Sequence, residues 1–95
     1  MATNTLFISV NGSGGAAKAF GTDTNARDIQ FTTTGAVYVV FDEASAGDAA
    51  TSMGTKPLTL AAGNIITMPA VVMSKAFVRS QTTNATAASL MWYTP

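Results

Sequence analysis

Few residues in this chain have the chemistry for a reaction, and the most suggestive run is Gly12-Ser13-Gly14-Gly15-Ala16-Ala17-Lys18. A glycine-rich stretch ending on lysine is the outline of a phosphate-binding loop. Such a loop also needs Gly immediately before the lysine and Ser or Thr immediately after it, so that the backbone can cradle phosphate and a hydroxyl can hold magnesium. Ala17 and Ala19 stand in those places, so the segment is read as a flexible turn. Asp42, Glu43 and Asp48 offer oxygen to a hard cation, but their spacing is not that of a calcium loop. They are read as solvated loop acids, as are Asp23 and Asp28. The chain has no histidine and no cysteine, no carboxylate pair that the sequence can place together, and no Ser or Thr beside an identifiable base. General acid–base and nucleophilic catalysis therefore have no machinery here. The expectation is a protein that is not an enzyme and uses no cofactor and no metal.

Binding chemistry is equally sparse. Lys75, Phe77 and Arg79 would share one strand face, the basic and aromatic pairing that single-strand binders use for phosphate contact and base stacking. Three residues do not make a groove, and five basic residues balanced by five acidic ones leave no electrostatic drive toward nucleic acid. Asn84-Ala85-Thr86 has the form of a glycosylation acceptor and is read as a plain hairpin tip. The longest near-apolar run, 65–73, is broken by Thr67 and Pro69 and falls short of the roughly 20 residues of a membrane helix. No membrane span is expected. Leu6-Phe7-Ile8 is cut by Ser9 and has no basic start, so no signal peptide is expected either.

The elements that carry these residues have a period of two. Leu6, Ile8 and Val10 alternate with Phe7 and Ser9 before a Gly-rich turn, and Ile29 and Phe31 alternate with Gln30 and Thr32. Ala36-Val37-Tyr38-Val39-Val40-Phe41 is apolar on both alternating faces and calls for cover on both sides. Residues 42–56 are small and polar. A helical turn over 48–53 would be bracketed by Gly47 and Gly54, and an isolated helix so short is marginal, so the stretch is read as a long connecting loop. Pro57 opens a strand with Leu58 and Leu60. Pro69 divides Ile65-Ile66-Thr67-Met68 from Val71-Val72-Met73 into two short strands or one broken edge strand. Residues 75–80 and 87–94 complete the series. About eight short strands with a turn signal between most neighbours predict an all-β chain: one antiparallel β-sandwich or jelly-roll-like domain over residues 1–95, with 1–5 as a possible N-terminal arm.

Charged residues make up 11% of the chain and the net charge is zero, against about a quarter charged in ordinary soluble domains. Surfaces this neutral tend to associate. Leu90-Met91-Trp92-Tyr93 and Val37-Tyr38-Val39-Val40-Phe41 each offer more apolar surface than one side of a small sandwich absorbs. If Leu90 and Trp92 face the core, Met91 and Tyr93 face outward, as residue types enriched at protein interfaces. The alternative for these strands is a barrel that buries both faces, or cover from the long loop. Tyr38, Phe77, Met91 and Tyr93 are the expected contact residues. A different reading uses Trp92 and Tyr38 to stack on sugar rings, and a scaffolding or adhesion module is a third.

Four segments together carry a resemblance: Phe41-Asp42-Glu43-Ala44-Ser45-Ala46-Gly47-Asp48, Pro57-Leu58-Thr59-Leu60-Ala61-Ala62-Gly63-Asn64-Ile65, Phe77-Val78-Arg79-Ser80 and Ser89-Leu90-Met91-Trp92-Tyr93. Their order over residues 29–93 resembles that of the small β-sandwich structural proteins of tailed bacteriophage virions. The resemblance rests on order and texture and carries over no functional residue. It implies a capsid decoration or cement subunit, a homotrimer or other closed ring bound to the major capsid protein or another virion protein. Such a protein is made in the host cytoplasm and ends in the virion. The same resemblance extends to tail, fibre and head–tail components.

Overall fold

The computed structural model describes residues 2–95. Eight strands form two antiparallel four-stranded sheets, as the alternation predicts. The first sheet holds β1 (Ala2–Val10), β8 (Thr86–Thr94), β3 (Ala26–Thr33) and β6 (Ile65–Val71), in that spatial order. The second holds β2 (Lys18–Ala19), β7 (Phe77–Ser80), β4 (Val37–Val40) and β5 (Leu58–Leu60). The inward positions of both sheets meet in one core. Ile8, Val10, Ile29, Phe31, Leu90 and Trp92 come from the first sheet and Val37, Val39, Leu60 and Val78 from the second. Phe20, just after β2, stacks on Phe31 with ring centroids 4.7 Å apart, and Phe41 meets it edge-on at 6.1 Å. These rings fill the space between the layers, where their large apolar area contributes most.

Where the chain differs from expectation, the cause is tertiary. Within the stretch 42–56, read as a loop, lies a helix, α1 (Ala46–Met53). Ser45 caps it, its Oγ accepting the Asp48 N–H at 3.1 Å, and Ala49 and Met53, one turn apart, are buried against the second sheet. Eight residues do not hold a helix in water, but packing of one face does. Pro69 does not split its strand, because β6 is an edge and its missing N–H falls where the ladder to β3 passes over Asp28 and Pro69. The result is one edge strand with a gap in its ladder, and it ends at Val71: Val72 and Met73, expected within it, lead into a 3-10 turn. Lys75 is not in a strand: a 3-10 turn at Met73–Lys75 precedes β7. The expected arm over residues 1–5 is, from Ala2 to Thr5, part of β1 and paired with β8, while Met1 lies outside the described residues.

Two glycines are required by geometry. A Cβ on Gly12 would collide with the Thr83 carbonyl oxygen, where the turn after β1 packs on the loop between β7 and β8. Gly63 has a φ of +80°, and its N–H donates to the Thr33 carbonyl at 2.8 Å. The glycine-rich run before Lys18 is thus part of the fold's packing.

Candidate interaction surface

The two outer faces of the sandwich hold the residues singled out in the sequence, and they differ. On the second sheet, Val40 pairs with Phe77 and Tyr38 with Arg79, so Tyr38, Val40 and Phe77 point away from the core. α1 lies over them. Phe77 and Val40 form a second buried cluster with Ala17, Ala49 and Met53, and Tyr38 packs half-buried at its margin. Phe77 is only 6% exposed. The expectation that it contacts a partner is corrected: cover comes from the segment read as a loop, and Tyr38 is mostly spent on the same contact. Burial of Phe77 also removes the stacking platform that Lys75, Phe77 and Arg79 would have needed.

Among the described residues no such lid covers the first sheet's outer face. Strand register brings Phe7, Ser89, Thr32 and Ile65 into one row and Thr5, Met91, Gln30 and Thr67 into the next, and Thr3 and Tyr93 continue the face as far as a bulge in β3 between Arg27 and Gln30. The charges of β3, Arg27 and Asp28, are both exposed and sit together at that bulge, at one end of the face. Phe7 is 69% exposed and Ile65 66%, and they wall a shallow groove of about 400 Å³ floored by Thr32, Ser89 and Met91. Met91 and Tyr93 face outward, half-buried, while Leu90 and Trp92 face the core, so the alternation of the last strand is as expected. Phe7 stands opposite Leu6, Ile8 and Val10 in the alternation, and Ile65 beside Ile66, but neither is among the expected contact residues, because the pattern does not tell which outer face stays uncovered. The strict period of two was the signal that could have put them on an outer face.

Carbohydrate stacking by Trp92 and Tyr38 does not fit. Trp92 is 7% exposed with its indole N–H donating to Asp23 Oδ2 at 2.6 Å, and Tyr38 lies on the opposite sheet. Among the described residues no three His, Cys, Asp or Glu side chains gather as a metal set. No helix there is long and apolar enough to cross a membrane.

No protein-family model matches the chain and no curated protein matches it. Among solved structures it is similar to a chain described as "Bacillus endospore appendages form a novel family of disulfide-linked pili", with 13% identity, a TM-score of 0.45, and coverage of 99% of this chain and 88% of that one. The present sequence contains no cysteine.

Proposed function

We propose that the protein is a non-enzymatic structural subunit of an assembled particle, and that it docks through the outer face of the first sheet. The observation that carries this reading is a four-stranded face whose two central rows hold no charge and whose two large apolar side chains, Phe7 and Ile65, are about two-thirds exposed. Large apolar side chains left exposed on both walls of one groove mark a contact site. Thr3, Thr5, Thr32 and Thr67 hold the strands without adding charge that would have to be desolvated on docking. The order of segments similar to phage virion sandwiches supports a more specific form: a decoration or cement subunit, self-associated and bound to coat protein on the outside of a shell. Many weak copies of one contact then add up across a lattice.

The test is binding to particles. Wild-type protein should co-sediment with gradient-purified shells at a copy number that saturates. Tyr93→Asp should abolish that binding while its thermal melt and circular dichroism stay those of a folded chain, because Tyr93 points away from the core. Recovery on tails or fibres and not on shells moves the site along the virion. Binding that survives Tyr93→Asp removes this face from the contact.

A further inference from the structure

We propose that β1 is a self-association edge, and that two copies pair their β1 strands antiparallel about a two-fold axis beside Leu6 to make one continuous eight-stranded sheet. The inference rests on the reading of the chain as an assembly subunit and supplies the contact between its copies. A sandwich of two open sheets has four edges, and each exposes unpaired backbone N–H and C=O groups that natural proteins usually blunt. Three of the four are blunted here. β2 is two residues long and carries Lys18, β5 is three residues long, and β6 has Pro69 within the strand. β1 is different: nine residues, Ala2–Val10, with no charge, no proline and an unbroken register to β8, its one partner strand among the described residues.

The sequence of β1 accommodates a second copy of itself as the occupant. Full overlap of nine residues run antiparallel pairs Leu6 with Leu6, Thr5 with Phe7, Asn4 with Ile8, Thr3 with Ser9 and Ala2 with Val10. Each pair joins two even or two odd positions, so core-facing side chains meet core-facing ones and outward meet outward, which a shift by one residue would not allow. No like charges meet, and Thr5 against Phe7 is a favourable β-branched and aromatic cross-strand pair. Leu6 is packed on the core yet only half-buried, and it borders an open crevice of about 490 Å³ between Leu6–Ser9 of β1 and the segment around Phe20. A partner's Leu6 at the axis covers that opening. Being isologous, the contact closes at two copies, where the resemblance to virion proteins implies a trimer.

The absence of cysteine in the sequence gives a clean crosslinking test. Directly opposed residues in an antiparallel pair lie within the Cα separation a disulfide accepts. Under mild oxidation, full-length Leu6→Cys should become mostly a covalent dimer of twice the 9.7 kDa chain mass, while Ser89→Cys, exposed on the sheet's outer face, stays monomeric on a denaturing gel. If Leu6→Cys does not fold, the exposed pair Thr5→Cys and Phe7→Cys answers the same question: neither crosslinks alone, and an equal mixture of the two gives the heterodimer. Light scattering of the wild type should show a concentration-dependent dimer. A wild type that is monomeric at every concentration, a trimer or open polymer, or crosslinking of Ser89→Cys as fast as Leu6→Cys overturns the edge pairing. Shell binding is scored separately, so a monomer that still binds shells sinks only this inference. A crosslinking dimer that binds no particle sinks the functional reading and leaves the edge.

Discussion

Phe77 on one side of the sandwich is 6% exposed beneath α1, while Phe7 on the other is 69% exposed with no described element above it. Both lie on strands with apolar neighbours, and both point away from the central core. The difference is supplied by eight residues, Ala46–Met53, that cover one sheet and have no counterpart over the other among the described residues. Burying a large apolar side chain within the chain contributes to folding. Leaving one in water contributes nothing to the monomer and keeps that free energy for association. The covered face therefore belongs to the stability of the subunit, and the bare face is the one the proposed docking would use.

The sharpest way to break this comparison is to truncate one residue on each face. Phe77→Ala should destabilise the fold by about 3 kcal/mol or more, as large-to-small changes at buried aromatic sites do. Met91→Ala on the open face should cost well under half of that, since its side chain has solvent or a partner on one side. Denaturant midpoints of the two variants measure the contrast directly. Equal losses would mean that the first sheet's outer face is as fully used in the monomer as the second.

A smaller effect comes from loosening the lid without touching the strands. Ser45→Ala removes the hydroxyl that accepts the Asp48 N–H at 3.1 Å, and loss of such a cap costs about 0.5–2 kcal/mol. Because α1 is short, that loss should appear as faster amide exchange in the helix and in the Phe77–Ser80 strand beneath it, and as added binding of a hydrophobic dye. Exchange in β1 and β8 should be unchanged. Protection lost across both sheets together would show that the lid and the sandwich fold as one unit.

Much of the sandwich was legible in the sequence, for a physical reason: side chains alternate across a strand, so Leu90 and Trp92 inward against Met91 and Tyr93 outward follows from the period alone. The same rule placed Tyr38 and Phe77 on an outer face correctly but could not say what lay above them. That depended on α1, whose propensity is weak, which has Gly47 in its first turn and Gly54 at its C-cap, and whose reason for folding is the apolar surface of Val40 and Phe77. A helix stabilised by the surface it covers is invisible until that surface is known. Pro69 was ambiguous for a related reason. Its tolerance depends on β6 being an edge, which is a property of strand order and not of local sequence.

The smallest expected effect on stability is also the one that sharpens the comparison most. Ile65→Thr exchanges an apolar side chain that is 66% exposed for one of equal β-propensity at the far edge of the open face from β1. The exposed side chain is solvated in the folded monomer nearly as in the unfolded chain, so the denaturant midpoint should move by no more than about 0.5 kcal/mol equivalent. Particle binding should weaken, because the groove between Phe7 and Ile65 loses one wall. Dimer crosslinking through Leu6→Cys, combined with this substitution, should be unaffected, since β1 and β6 are opposite edges of the sheet. Loss of docking with the fold and the β1 contact intact would separate three jobs on one small domain: the covered face for stability, the β1 edge for pairing and the open face for the partner. A fall in stability comparable with that of Phe77→Ala would instead show that Ile65 is held by the monomer and that the open face is narrower than its strand register implies.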